Sequence, residues 1–239
     1  MKVIIDTKEN CAKIAAKEYA ALLSQKPDAV LGLATGSTPE DLYKELIALY
    51  NAGAISFKQV KSYNLDEYVG LTGEHPQSYR YFMDDKLFNH VDINKDNTHV
   101  PCGIDMTNEK AAQYDKEIEA AGGIDLQLLG VGNNGHIAFN EPGTALDSVT
   151  HVVELTQSTL EANKRFFDSI DDVPTHAVCM GIKTIMNARK IILMAYGKGK
   201  AAAMAAAING PIDLNVPASI LQLHPDCTIY MDEAAASEL

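Results

Sequence analysis

Short apolar runs rich in β-branched residues alternate along the chain with longer stretches whose apolar residues recur at helical spacing. This alternation predicts βα units that build a mostly parallel sheet. The predicted strands are residues 3–5, 29–33, 60–64, 124–130, 152–155, 177–180, 191–195 and 228–231. The predicted helices are residues 10–23, 39–52, 108–121, 158–167 and 200–209.

Several predicted strands are apolar at every position, as expected of strands that helices cover on both faces of a sheet. The chain shows no tandem repeat, no low-complexity linker and no shift in composition. We therefore predict an α/β fold in a single domain, residues 1–239, with three αβα layers and a Rossmann-like, open, mostly parallel sheet. Ligands of such sheets bind at the carboxyl ends of the strands, so the chemistry is expected in the loops that follow strands.

Composition and charge exclude several classes of protein. The 239 residues, 46% of them hydrophobic, suffice for a large core without disulfide bonds. The formal net charge of −12 repels nucleic-acid backbones and anionic membrane surfaces, so neither is an expected partner. There is no Cys-x-x-Cys pair, no signal-like start and no apolar run of membrane-spanning length, which favours a cytoplasmic protein.

The first unusual loop, residues 33–40, joins a predicted strand to a predicted helix. Ser37 or Thr38 can cap that helix, with Pro39 in its first turn. Gly36 also lets the backbone approach a ligand, and free N–H groups at a helix start favour an anion. Because the loop lacks the Walker lysine and the G-x-G-x-x-G spacing, helix capping alone and phosphate binding remain equally open.

The second loop, residues 63–71, places two adjacent carboxylates directly after an apolar strand. Burial among apolar neighbours raises the pKa of a carboxyl group, which makes Asp66 a candidate proton acceptor. The structural alternative is that Asp66 caps a turn and that Glu67 is solvated.

The third loop, residues 128–143, combines several glycines with one histidine. His136 has an amide, Asn134, two residues before it and a carboxylate, Glu141, five residues after it. This cluster supplies a base together with groups that can fix its tautomer. A metal site is the competing interpretation, but His136 and Glu141 provide only two ligands, so no metal is predicted.

Two basic residues are candidates for binding a phosphate. Arg165 suits bidentate contact with phosphate, and Lys200, at the start of a predicted helix, suits a point-charge contact. The alternative for each is an ordinary surface charge, which is our interpretation of Lys198.

Four motifs identify the family. They are TGSTP at 35–39, NLDEYVGL at 64–71, GNNGHIAFNEP at 132–142 and LQLH at 221–224. With these motifs in this order along its sequence, the chain resembles the short, non-allosteric members of the glucosamine-6-phosphate deaminase family. The wider superfamily, which includes 6-phosphogluconolactonases and sugar-phosphate isomerases, shares only the general fold.

The resemblance implies conversion of D-glucosamine 6-phosphate and water to D-fructose 6-phosphate and ammonia, in amino-sugar catabolism and without a metal or organic cofactor. Carried over by motif, Asp66 is the enolisation base and His136 opens the sugar ring, while Asn134 and Glu141 orient and polarise the histidine. The residues implied to hold the substrate's phosphate are Gly36, Ser37, Thr38, Arg165 and Lys200.

The chain departs from the longer, allosteric members of the family. Those carry aspartate where this chain has Asn134, and basic residues for an allosteric phosphate where it has His151 and Val153. These differences argue against allosteric activation by N-acetylglucosamine 6-phosphate and against a hexamer, so a monomer or small homo-oligomer is expected. The alternative functions are a 6-phosphogluconolactonase-like enzyme or another sugar-phosphate isomerase, and a non-catalytic sugar-phosphate sensor.

Overall fold

The computed structural model describes all residues, 1–239. Its strands are β1 (Lys2–Ile5), β2 (Val30–Leu33), β3 (Lys61–Asn64), β4 (Asp66–Tyr68), β5 (Thr98–His99), β6 (Leu126–Leu129), β7 (His151–Glu154), β8 (His176–Cys179), β9 (Ile191–Ala195) and β10 (Cys227–Met231). Its α-helices are α1 (Lys8–Gln25), α2 (Glu40–Asn51), α3 (Tyr79–Lys86), α4 (Asn108–Ala120), α5 (Gln157–Asn163), α6 (Ile182–Met186) and α7 (Ala201–Asn209). None of these helices combines the length and the hydropathy that crossing a membrane requires.

The main sheet has seven strands in the order β1-β10-β9-β6-β2-β3-β5. Every neighbouring pair is parallel. Strands β2, β6, β9 and β10 are buried at every position, because the main hydrophobic core, built from helix and strand residues together, encloses them. The predicted α/β fold with a mostly parallel sheet is confirmed.

A second, three-stranded antiparallel sheet, in the order β4-β8-β7, was not predicted. The expectation that residues 152–155 and 177–180 belong to the one parallel sheet is therefore wrong. The chain leaves β3 and continues through Leu65 into β4, and the amide of Met180 donates a 2.7 Å hydrogen bond to the Leu65 carbonyl. Strand β8 therefore pairs with β4, and β7 with β8, outside the main sheet. Hydrophobic periodicity predicts a strand but not the partner with which the strand pairs.

Helix α2 begins at Glu40, one residue later than capping by Thr38 and two residues later than capping by Ser37 would require. Pro39 occupies the N-cap position, and no side chain caps the helix. The predicted cap is therefore wrong, and the hydroxyl groups of both residues are left available to a ligand. Helix α5 also ends earlier than predicted, because a 3-10 turn, Lys164–Phe166, replaces its last residues.

The direction of the chain reverses between β2 and β6. From β2 it proceeds through β3 to β5 on one side, and from β6 it proceeds through β9 to β10 on the other. Such a switch point leaves a crevice at the carboxyl edge of the sheet, where ligands of this fold class bind. The loops after β9, β6, β2 and β3 meet at this edge in that spatial order, and they carry nearly all the residues predicted to act.

Candidate active site

Asp66 is the first residue of β4 and lies just beyond the carboxyl end of β3. It is buried, with 7% of its surface exposed. Burial, and secondly the charge of Glu67, raise the pKa of Asp66 to about 8, and no hydrogen bond from the protein opposes this rise. A carboxylate in this state is a much stronger base than a solvated aspartate, as the sequence analysis predicted for this position.

Glu67 points to the opposite face of β4, because side chains alternate along a strand. It is buried as well, so the alternative of a solvated Glu67 is wrong. Its Oε1 accepts hydrogen bonds from the backbone N–H groups of Tyr68 and Tyr79, and its Oε2 accepts one from Arg80. Glu67 therefore fixes the start of helix α3. Its carboxylate oxygens accept hydrogen bonds from the backbone, whereas those of Asp66 accept none from the protein.

His136 lies in the loop after β6, beside the carboxylate of Glu141. The imidazole Nδ1 is 3.4 Å from Oε2 of Glu141, and Nδ2 of Asn134 donates a 2.8 Å hydrogen bond to the same oxygen. Asn134 contacts the backbone of His136 rather than its ring, since its Oδ1 accepts from the His136 N–H at 3.2 Å. Asn134 thus acts on the imidazole through Glu141, which the sequence spacing did not distinguish from direct contact.

Glu141 remains ionised despite being buried. Burial by itself raises its pKa, but hydrogen bonds from His136, Thr159 and Asn134, with the charge of a protonated His136, outweigh burial and lower the pKa of Glu141 to about 2. A permanent negative charge beside Nδ1 fixes the orientation of the imidazole. The His136 side chain is 22% exposed while its Nδ1 is buried, so the rest of the ring can reach a ligand.

At position 132 the loop requires glycine because of lack of space, and not because of its backbone angles. A Cβ placed there would lie 2.3 Å from Cε1 of His136, so any other residue would displace the imidazole. The ring therefore lies directly against the backbone of the strand exit. Within the same loop Ala138 has a φ of 51°, a left-handed conformation that costs an alanine about 1–2 kcal/mol.

Strand β8 connects the two groups that can transfer protons. Cys179 is the cross-strand partner of Asp66. Its Sγ accepts hydrogen bonds from the Phe139 N–H at 3.1 Å and from Nδ2 of Asn140 at 3.5 Å, in the loop between His136 and Glu141. The position of Asp66 relative to that loop is therefore set by the small antiparallel sheet.

The predicted phosphate residues lie on three segments of the same edge. Gly36 has a φ of 89°, which lets the loop after β2 turn with Ser37 and Thr38 unused by the helix. Burial, and then the charge of Arg165, lower the pKa of Lys200, so the two cations are near neighbours. An anion between them would relieve that repulsion.

Two threonines on the α5 segment and Cys179 belong to the site but were missed. The hydroxyls of Thr156 and Thr159 donate to Oε1 of Glu141. Their separation from Glu141 in sequence gives no periodic or motif signal. Conversely the LQLH motif is structural, since His224 Nε2 lies 2.8 Å from the Ala188 carbonyl and His224 is buried.

Fold and site together define a class of protein: a doubly wound α/β protein with a buried carboxylate and a histidine–carboxylate pair at the switch point of its sheet. The model of the family described as glucosamine-6-phosphate isomerases/6-phosphogluconolactonase matches residues 6–230. The chain belongs to this family, as its motifs predicted.

Relatives at about half identity cover the chain almost completely. It is 53% identical over 238 residues to a glucosamine-6-phosphate deaminase of Clostridium perfringens, covering 99% of this chain and 98% of the relative. It is 52% identical over 239 residues to one of Thermoanaerobacter pseudethanolicus, covering 99% and 94%. A solved structure described as a monomeric glucosamine-6-phosphate deaminase superposes with a TM-score of 0.97 at 44% identity, covering 100% of both chains.

Proteins with low sequence identity to this chain share its fold. A 6-phosphogluconolactonase from Trypanosoma cruzi has a TM-score of 0.80 at 19% identity, covering 100% of this chain and 96% of that one. This similarity concerns the fold alone.

Proposed function

We propose that this protein catalyses the conversion of D-glucosamine 6-phosphate and water to D-fructose 6-phosphate and ammonia. The identity of about half its residues to glucosamine-6-phosphate deaminases supports this activity. The residue roles rest on the geometry of the site. In this proposal His136 moves a proton between the carbon 1 hydroxyl and the ring oxygen, which opens the sugar, while Glu141 holds the imidazole in position.

Asp66 then accepts the proton from carbon 2 of the open sugar and returns it to carbon 1. Together with movement of one proton from the amino nitrogen to the carbon 1 oxygen, this transfer converts the amino aldehyde into a ketimine at carbon 2. Water hydrolyses the ketimine to the ketone and releases ammonia, so atoms and charge balance. The raised pKa of Asp66 suits it to a carbon acid, because a stronger base lowers the barrier of proton transfer.

The presence of two separate proton-transfer groups carries the proposal. Asp66 follows β3, the His136–Glu141 pair follows β6, and the loop after β2 lies between them. Hydrolysis of a lactone needs only one base to activate water, whereas ring opening and enolisation take place at different atoms. This arrangement favours the deaminase over the lactonase, and a sensor would need neither base.

The phosphate is proposed to bind Gly36, Ser37, Thr38, Arg165 and Lys200. Binding energy at this remote group orients carbons 1 and 2 between the two bases without entering the bond changes. The relative described as monomeric supports action as a monomer. We further propose that the chain forms one domain, uses no cofactor and acts in the cytoplasm.

The test is a single incubation with glucosamine 6-phosphate in which ammonia and fructose 6-phosphate are both measured. Equimolar release of the two supports the proposal. Parallel incubations with 6-phosphogluconolactone and with glucose 6-phosphate test the lactonase and the isomerase. Binding of glucosamine 6-phosphate by calorimetry without turnover would instead establish a sensor and exclude the deaminase.

The proposal predicts a pH dependence. Asp66 must be ionised to accept the carbon 2 proton, and its pKa is raised to about 8, so kcat/KM is expected to increase with pH until about pH 8. Because the substrate amine also titrates, the assignment uses the free enzyme labelled with ¹³C at the aspartate carboxyl carbon. One resonance should titrate near pH 8 and be missing from Asp66→Asn. A titration of that resonance near its ordinary pH of about 4 would contradict the prediction.

A further inference from the structure

The two oxygens of the Glu141 carboxylate have different partners. Oε2 faces the loop after β6, where it receives Asn134 and lies beside His136. Oε1 faces helix α5, where the Thr159 hydroxyl donates to it and the Thr156 hydroxyl lies 3.1 Å away. The carboxylate therefore bridges the strand-exit loop and a separate helix.

The contact with Thr159 is enclosed by the protein. Both Glu141 and Thr159 are 5% exposed, so water does not compete for the hydroxyl. Hydrogen bonds to a charged group are the stronger kind, and a buried one resists rotation of the carboxylate. Thr156, by contrast, is also the N-cap of α5, where its hydroxyl oxygen accepts from the Thr159 N–H. Only Thr159 therefore directs its hydroxyl to Glu141 without also capping the helix.

We propose that Thr159 is a positioning residue of the reaction: its hydroxyl holds Oε1 of Glu141 so that Oε2 faces the imidazole of His136. The inference rests on the proposed role of the His136–Glu141 pair. Without this hydroxyl, only the 3.1 Å contact from Thr156 remains at Oε1, so the carboxylate can turn about its terminal bond and move Oε2 away from Nδ1. The imidazole then loses the fixed orientation that its contact with Oε2 gives it.

The test compares Thr159→Val, which keeps the shape and removes the hydroxyl, with Thr159→Ser, which keeps the hydroxyl. Thr159→Val is expected to lower kcat about tenfold or more, because small misplacements of acid–base groups cost up to about 10²-fold. KM for glucosamine 6-phosphate and inhibition by sulfate, a probe of the phosphate site, should change less than about twofold, since α5 keeps its cap. Thr159→Ser should restore most of kcat.

Thr184→Val is the matched control. Thr184 donates the same kind of hydrogen bond from a buried threonine to a carboxylate, that of Asp115, which the reaction does not use. This variant should lower Tm about as much as Thr159→Val does and leave kcat unchanged. A similar loss of kcat in both variants would mean that catalysis follows stability, and would overturn the inference.

Two further results contradict the proposal. If Thr159→Val keeps wild-type kcat, the hydroxyl does not position Glu141. If Thr159→Ser is as slow as Thr159→Val, the methyl group rather than the hydroxyl matters. A wild-type protein that releases no ammonia in the same assay would instead refute the proposed function, so the two failures are distinguishable.

Discussion

Replacing Asp66 with asparagine is expected to lower kcat by about 10³-fold or more and to abolish exchange of the hydrogen at carbon 2 with solvent. The amide has nearly the shape of the carboxylate but cannot accept a proton, and general bases contribute about 10²–10⁴-fold. Exchange is measured by ¹H NMR of glucosamine 6-phosphate in D₂O. Sulfate inhibition should be unchanged, because the phosphate site is separate. Survival of the exchange would mean that another group is the base.

The same variant is expected to be more stable than the wild type. The folded protein holds a proton on Asp66 up to about pH 8, whereas the unfolded chain releases it near 3.8. The free energy of unfolding of the wild type therefore falls as pH rises through this interval, and the asparagine variant escapes that loss. Above pH 8 we expect a gain of at least about 1 kcal/mol, or about 2–4 °C in Tm, which vanishes below about pH 4.

Glu67→Gln is the control for Asp66→Asn, because the two carboxylates are adjacent and both are buried. A glutamine would turn an N–H donor towards backbone N–H groups at the start of α3. This variant should lose stability by about 1–3 kcal/mol while its kcat falls less than about tenfold. If Asp66→Asn loses kcat and Glu67→Gln loses stability, then burial serves catalysis at Asp66 and the stability of the fold at Glu67. A loss of carbon 2 exchange in Glu67→Gln would refute that separation.

Replacing His136 with glutamine is expected to lower the deamination rate by about 10²–10³-fold at low enzyme concentration. Glutamine still fits beside Glu141 but cannot carry a proton near neutral pH, so the enzyme depends on sugar that opens in solution. The residual rate should then stop increasing as more variant enzyme is added, because spontaneous ring opening limits the supply.

Asp66→Asn provides the contrast for this experiment. Its slow step takes place on the enzyme, so its residual rate should increase in proportion to enzyme concentration. A His136→Gln rate that also increases in proportion would show that the histidine does not open the ring. Unchanged sulfate inhibition would confirm that the phosphate site is intact in this variant.

The main sheet could be predicted from the sequence because burial on both faces demands uniformly apolar strands. Residues 191–195 and 29–33 show this pattern, and both form central strands. Strand β4 could not be predicted, because its three residues include two carboxylates whose burial depends on distant partners. Helix α3 was missed for a similar reason: it is short and polar, and its start is fixed by Glu67 from another element.

Local sequence determined which residues are available for chemistry. The loop after β6 contains His136, Asn134 and Glu141 within a few positions, and glycine at 132 leaves room for the imidazole. Contacts among these residues can be predicted from the sequence, because the short loop keeps them close to one another. The sequence also determined the family, because three of its four motifs lie at strand exits, where the fold places the residues that meet a ligand.

Tertiary structure decided how those residues act. Asp66 becomes a strong base only because β8 and its apolar neighbours bury it without donating a hydrogen bond. Glu141 stays charged because His136 lies beside one of its oxygens and Thr159, distant in sequence, reaches the other. Protonation depends on solvation and on nearby dipoles summed over the whole surroundings, and those surroundings exist only once separate segments have packed together.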